Sequence, residues 1–175
     1  MEIRTERLLL RAVTEEDWRD LQAIWVSVNG TPYARYDRPQ PTSDGEVQAQ
    51  ARRWAACADN REHLFFAVCL ERRMIGYVVF HAQSEGVYEC GYCFNTAFHG
   101  QGYAGEAMRA LMDAMGAMGA KKLTAGTALD NAPSVRLLKS LGFELVYTEK
   151  MSFYKDEKGN DIVFDGGVFE RGLQS

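Results

Sequence analysis

Three glycines are the residues of this chain best placed to do chemistry. The segment His99-Gly100-Gln101-Gly102-Tyr103-Ala104-Gly105-Glu106-Ala107 sets Gly100, Gly102 and Gly105 in G-x-G-x-x-G spacing. Glycine has no Cβ, so its backbone can approach a phosphate closely. Free N–H groups at the start of a following helix then bind the phosphate's charge. A strand-like run precedes the motif and a helical pattern follows it, the context that such a cradle needs. A dinucleotide fold, however, opens on this turn and carries a ribose-binding acid about twenty residues further on. Here the motif comes after several strands and two helices, and Lys121-Lys122-Leu123-Thr124-Ala125-Gly126-Thr127 contains no acid. A nicotinamide-dependent oxidoreductase is therefore the remote reading. A P-loop fails as well, since no Lys-Ser or Lys-Thr follows the glycines. What survives is a pyrophosphate cradle of another kind.

Cysteines offer less. Cys90 and Cys93 have C-x-x-C spacing, but no second Cys/His pair completes a metal site. The two lie on a strand-like run, where positions three apart point to opposite faces. Four cysteines without an apolar export signal at the N-terminus read as reduced thiols of a cytoplasmic protein.

The elements that must position the cradle follow from periodicity. Leu8–Arg11 reads as a first strand. Thr14 caps a helix on which Trp18, Leu21, Ile24, Trp25 and Val28 recur at helical spacing, ended by Asn29-Gly30. A loop with Pro32, Pro39 and Pro41 carries Tyr33, Arg35, Tyr36, Asp37 and Arg38, and loops held on a scaffold often carry binding groups. Residues 43–58 read as a second helix. Leu64–Leu70 and Met74–Phe80 form a hairpin, followed by a strand over Val87–Phe94. A helix from Tyr103 to Met118 packs its Met108, Met112, Met115 and Met118 stripe on the sheet. Leu123–Ala128 is a strand, Asn131–Leu141 a helix ended by Gly142, and Phe143–Tyr154 with Ile162–Phe169 the last two strands. The mixture predicts one α+β domain over 1–175 with a mixed, mostly antiparallel central sheet flanked by helices.

Four segments in this order resemble the GNAT superfamily of acetyl-CoA-dependent N-acetyltransferases, in the branch containing ribosomal-protein N-terminal acetyltransferases. They are Thr5-Glu6-Arg7-Leu8-Leu9-Leu10-Arg11, then Met74-Ile75-Gly76-Tyr77 with Glu89-Cys90-Gly91-Tyr92, then Gly100–Ala107, then Asn131–Phe143 with its Asn…Ser…Leu-Gly-Phe pattern. The resemblance spans nearly the whole chain. It implies that His99, Gly100, Gln101, Gly102, Tyr103, Ala104 and Gly105 hold the coenzyme's pyrophosphate. His99 stands where the family has Arg or Gln, and a neutral imidazole grips phosphate less firmly.

Acetyl transfer to an amine must remove a proton from the nucleophile, stabilise an oxyanion and protonate the departing thiolate. The resemblance assigns the base to Glu89 and the oxyanion and pantetheine donors to backbone N–H groups near Cys93, Phe94 and Asn95. The family's usual acid, a tyrosine, aligns with Leu138. Ser134, one turn earlier, takes the role in this branch, and Asn131 holds a water or a coenzyme amide. Lys139 with Arg136, or Lys121 with Lys122, are the cations available to screen phosphates. A non-catalytic acyl-CoA-binding sensor is the alternative reading.

Composition bounds the partners. The 175 residues are 46% hydrophobic and 25% charged, with a net charge of -4. That argues against wholesale disorder and disfavours a general electrostatic grip on nucleic acid, though not a local basic patch. No apolar run reaches the ~18–20 residues of a membrane span. The expected partners are acetyl-CoA as cosubstrate, an amine acceptor that is a small molecule or a peptide N-terminus, and a second copy in a homodimer. No metal is expected.

Overall fold

The computed structural model describes residues 1–173. In chain order the elements are β1 (Glu2–Arg4), β2 (Leu8–Ala12), α1 (Trp18–Asn29), α2 (Asp44–Ala55), β3 (His63–Leu70), β4 (Arg73–Ser84), β5 (Val87–Phe94), α3 (Tyr103–Ala117), β6 (Lys122–Ala128), α4 (Ala132–Ser140), β7 (Glu144–Met151) and β8 (Phe164–Gly172). Only the three-residue β1 was absent from the sequence reading. It contains too few residues for a period to show, and its pairing with β2 defines it. The proline loop contains a short 3-10 turn, Pro32–Tyr36.

All eight strands form one sheet in the order β1-β2-β3-β4-β5-β6-β8-β7. Every neighbouring pair is antiparallel except β5 with β6. Against one face pack α3, through Met108, Leu111, Met112 and Met115, and α4, through Leu138. The other face carries α1, through Leu21, Ile24 and Trp25, and α2, through Val47 and Ala51. The methionine stripe thus fills core as expected, except Met118, which lies just past the helix and is 38% exposed.

Sequence order and sheet order part at the end of the chain. β8 folds back between β6 and β7, so β7 becomes the outer strand and exposes Leu145, Val146 and Tyr147. The parallel contact of β5 and β6 spans only Val87–Glu89 against Lys122–Thr124. Beyond those residues the two strands separate, and the sheet opens toward their C-terminal ends.

One polar anchor joins β2 to the start of α1. Buried Asp17 accepts both guanidinium nitrogens of Arg11 at 2.7 Å, the Thr14 N–H at 2.7 Å and the Thr14 hydroxyl at 3.1 Å. Burial opposes its charge, but Arg11 and Thr14 together hold the carboxyl below its ordinary value. Asp17→Asn is therefore expected to lose about 2 kcal/mol in urea denaturation at pH 7, the value of hydrogen bonds to a charged group. A carboxylate with a lowered folded-state pKa contributes stability that is complete above its unfolded value, near ~4. That contribution disappears as pH falls through the folded value. Wild type and variant should therefore converge in strongly acidic buffer.

Candidate active site

The split between β5 and β6 is the mouth of a cleft of about 730 Å³. Its walls come from both faces of the sheet. Tyr92, Phe94, Ala104, Ser134 and Leu138 contribute from the α3/α4 side, and Tyr77, Val79 and Cys93 from the α1/α2 side. Divergence of two parallel strands thus makes a passage through the sheet. A molecule held on one face can present its end to a molecule held on the other.

Strand alternation shows which main-chain groups face the opening. The Asn95 N–H donates to the Ile75 carbonyl at 2.9 Å, which sets Asn95, Cys93 and Gly91 toward β4. Tyr92 and Phe94 therefore turn their N–H and C=O groups into the split. Of the three expected donors, the Phe94 N–H faces the split, and the Cys93 and Asn95 N–H groups face β4. Asn95 is buried, and its side chain accepts from the Ala97 N–H at 3.0 Å, capping the turn after β5. Cys93 reaches the cleft through its thiol, which burial first of all pushes up to about 12. Cys90 points to the other face, as its spacing implied.

The glycine turn lies at the far end of the split. Gly100 and Gly102 adopt φ of +74° and +82°, a region costly for any residue with a Cβ. Gly102 is the residue before α3 and supplies no side-chain cap. The N–H groups of Tyr103, Ala104 and Gly105 precede the first intrahelical bond, from Glu106 N–H to the Gly102 carbonyl at 3.0 Å. Three free donors at the positive end of a fifteen-residue helix fit a diphosphate.

The turn is braced from the start of the chain. Glu106 accepts from the Thr5 hydroxyl at 2.5 Å and from the Arg7 N–H at 3.0 Å, and pairs with the Arg7 guanidinium at 2.7 Å. Arg7 also donates to the Gln101 carbonyl at 3.0 Å and covers the Tyr103 ring at 4.4 Å. Desolvation works against the Glu106 charge, yet the Thr5 and Arg7 hydrogen bonds hold its carboxyl below the ordinary range. No local pattern could have shown a brace that spans about a hundred residues of sequence; Thr5-Glu6-Arg7 stood out only through resemblance.

Two residues of the turn behave differently from expectation. His99 folds back so that its Nε2 lies 2.9 Å from the Phe94 carbonyl, which fixes that nitrogen as the protonated donor. It closes the end of the strand instead of reaching outward. Gln101 is exposed and turns its amide toward the Ala97 carbonyl at 3.5 Å, outside the cleft lining.

On α4 the structure brings Asn131, Ser134 and Leu138 to the cleft. Asn131 Oδ1 accepts from the Ser134 N–H at 3.3 Å as the helix cap, leaving its amide N–H groups for another partner. Ser134 Oγ lies 2.8 Å from the Tyr92 hydroxyl. Burial raises Tyr92 to about 12, against the opposing hydrogen bond with Ser134, so the phenol keeps its proton at neutral pH. The sequence placed Tyr92 on the face opposite Glu89 but offered no sign of this partner on a distant helix.

Glu89 and Lys139 are not brought to the site. Glu89 faces the α1/α2 side beside His81, is exposed, and takes a hydrogen bond from Gln83 at 3.2 Å. It lies outside the cleft lining, as does the exposed Lys139. Lys122 is paired with Glu170 at 3.0 Å. The proline loop, by contrast, does reach the cleft through Tyr33, Tyr36, Asp37 and Arg38.

A helix start that offers bare amides, set beside two strands that part to let a carrier's end through the sheet, defines a transferase of groups borne on a phosphate-containing carrier. Residues 7–144 match the family model for the acetyltransferase (GNAT) domain, and the chain belongs to that family. It is a GNAT acetyltransferase. It is 28% identical over 165 residues to an uncharacterized N-acetyltransferase, YnaD, of Bacillus subtilis (strain 168), covering 92% of this chain and 91% of that protein. Its fold matches an acetyltransferase from Salmonella typhimurium that modifies the N-terminal serine of ribosomal protein L7/L12, with TM-score 0.85, 20% identity, and 99% and 100% of the two chains covered. It also matches the microcin C7 self-immunity acetyltransferase MccE, whose structure holds acetyl-CoA and AMP, with TM-score 0.82, 15% identity, and 97% and 94% covered. At these identities the two structures speak for the fold.

Proposed function

We propose that the chain, as one catalytic domain, transfers the acetyl group of acetyl-CoA to a primary amine by direct attack within a ternary complex. The observation that carries this reading is the split itself: the amide cradle at the start of α3 and the open edge of β5 line one continuous cleft. The cradle takes the pyrophosphate through the Gly100–Gly105 main chain. Phe94 and Tyr92 offer their N–H groups to pantetheine and to the oxyanion of the tetrahedral intermediate. The Asn131 amide orients a coenzyme carbonyl or a water.

Protonation of the thiolate falls to Ser134, with Tyr92 behind it at 2.8 Å. As the C–S bond breaks, the Ser134 proton passes to sulfur and the Tyr92 proton passes to Ser134. Solvent then reprotonates the pair. Leu138 is buried and cannot donate, so the role passes to this pair.

The deciding experiment has two parts. Acetyl-CoA should raise the melting temperature by several degrees, where NAD does not. With a panel of primary amines the protein should then release free thiol in proportion to amine consumed. Stabilisation without turnover on any amine would leave a sensor module instead.

Glu89→Gln is expected to change kcat by less than about twofold, since surface substitutions away from built features cost little. A loss of activity with coenzyme affinity retained would restore Glu89 as the base.

A further inference from the structure

The amine must be held as an ammonium and deprotonated before attack, and the structure offers one group for both tasks. Among the described residues that line the cleft, Asp37 is the one carboxylate. We propose that Asp37 receives the acceptor's ammonium and takes its proton, and that the acceptor is a primary amine carried on an aromatic or apolar body. This rests on the acetyl-transfer reading and adds the acceptor's chemistry to it.

Position carries the argument. Asp37 follows the 3-10 turn and lines the cleft together with Tyr77 and Cys93, on the face of the sheet away from the α3 cradle. An amine there approaches the split from the side opposite the coenzyme. The turn is anchored at several points. Asn29 and Gln40 bond reciprocally, side-chain N–H to carbonyl at 2.9 Å and backbone N–H to side-chain oxygen at 3.2 Å. The Tyr154 hydroxyl donates to the Arg35 carbonyl at 3.2 Å, and the Tyr36 hydroxyl donates to Asp130 at 3.2 Å. The Asp37 carboxylate accepts the Arg38 N–H at 2.7 Å, and the residue is exposed, so an incoming ammonium can reach it. Partial desolvation beside the cleft raises its pKa, against the opposing Arg38 hydrogen bond, and a stronger base results. Tyr33, Tyr36 and Phe153 form the adjoining wall, with Phe164 packed behind Tyr36 and Phe153 at ring separations of 5.1 and 5.3 Å. Such a wall favours an acceptor with apolar surface next to its charge.

The step balances. Asp37 takes one proton from R–NH3+, and the neutral amine attacks the thioester carbonyl. The C–N bond forms and the C–S bond breaks. The second amine proton leaves the nitrogen of the tetrahedral intermediate to solvent, solvent returns one proton to the Tyr92–Ser134 pair that protonated the sulfur, and Asp37 releases its own to solvent, so one proton is set free overall.

The test compares wild type, Asp37→Asn and Asp37→Glu with 2-phenylethylamine and putrescine as acceptors. Asp37→Asn should lower kcat/KM for 2-phenylethylamine roughly hundredfold, the low end for loss of a general base. Acetyl-CoA affinity by calorimetry and the melting temperature should stay unchanged, and Asp37→Glu should recover part of the rate. Wild-type kcat/KM should fall on the acidic side with an apparent pKa above that of an ordinary aspartate, and Asp37→Asn should lack that limb. Facing Asp37 are Arg38 of its own loop, Tyr77 of β4 and Cys93 of β5, with His99 elsewhere in the cleft. Neither the Tyr77 nor the Cys93 group titrates near that limb, since burial raises both. Wild type should prefer 2-phenylethylamine to putrescine by about tenfold, the effect of ~1.4 kcal/mol of apolar contact. An Asp37→Asn enzyme as active as wild type, or a preference for putrescine, overturns the inference while leaving acetyl transfer standing. Absence of acetyl-CoA binding to wild type overturns the underlying reading instead.

Discussion

Gly102→Val should weaken acetyl-CoA binding by at least a hundredfold while leaving the domain folded. The native φ of +82° is open to glycine, and a β-branched side chain there is a backbone outlier. Space is not the obstacle. A Cβ at this position would stand 3.5 Å from the Arg7 guanidinium, an ordinary contact. Relief of strain therefore comes from rotating the peptide, which swings the N–H groups at the start of α3 out of register. A diphosphate that loses two such charge-assisted bonds loses about 3 kcal/mol at 1.5 each, or roughly a hundredfold. The turn is on the surface, so the melting temperature should fall by only a few degrees. Gly159→Ala is the matched control. It has a φ of +83° with no atom within 4 Å of an added Cβ, and lies outside the cleft lining, so it should cost stability and leave affinity intact. Isothermal calorimetry with acetyl-CoA separates the two. Equal affinity for Gly102→Val and wild type would remove the cradle from the binding site.

Ser134→Ala should lower kcat about hundredfold without changing acetyl-CoA affinity, in line with the loss of a general acid. The diagnostic is the leaving group. A thiol of alkyl type, pKa near ~8.5, needs a proton as it departs. An aryl thioester, whose thiolate is far more stable, does not. The hundredfold gap should therefore shrink to a few-fold with an acetyl-thiophenol donor. Tyr92→Phe should cost less, about tenfold, since Ser134 keeps its own proton for the first transfer and loses only the group behind it. If Ser134→Ala is equally slow on both donors, the hydroxyl positions substrate and donates no proton. If it is fast on both, the thiolate leaves unaided.

Much of this site could be read from the chain because it is local. The positive-φ glycines, the helix that begins at Tyr103, the Asn131 cap and the Ser134 hydroxyl one turn beyond it all lie within short segments, where spacing sets geometry. The opposite orientations of Cys90 and Cys93 followed from strand alternation in the same way. Glu89 marks the limit of such reasoning. Its strand and its face were legible, but its distance from the reacting atoms depends on where β6 stops pairing with β5. Which way Cys93 and Asn95 turn their N–H groups was hidden for a related reason. Their N–H groups face β4, and the bond from Asn95 to Ile75 that sets this alternation joins residues twenty apart.

By itself, then, the order of residues determined the helices, nearly every strand, the mixed α+β class and the amide cradle, because each depends on hydrophobic period, caps and backbone freedom over a few neighbours. Tertiary structure alone decided the split between β5 and β6, the return of β8 between β6 and β7, the Arg7–Glu106 brace, the Tyr92–Ser134 pair and the arrival of Asp37 at the cleft. These are contacts between elements that are not neighbours in a local pattern, or pairings that end where two strands diverge. Their energy comes from the packing of both sheet faces at once, and no local period encodes it.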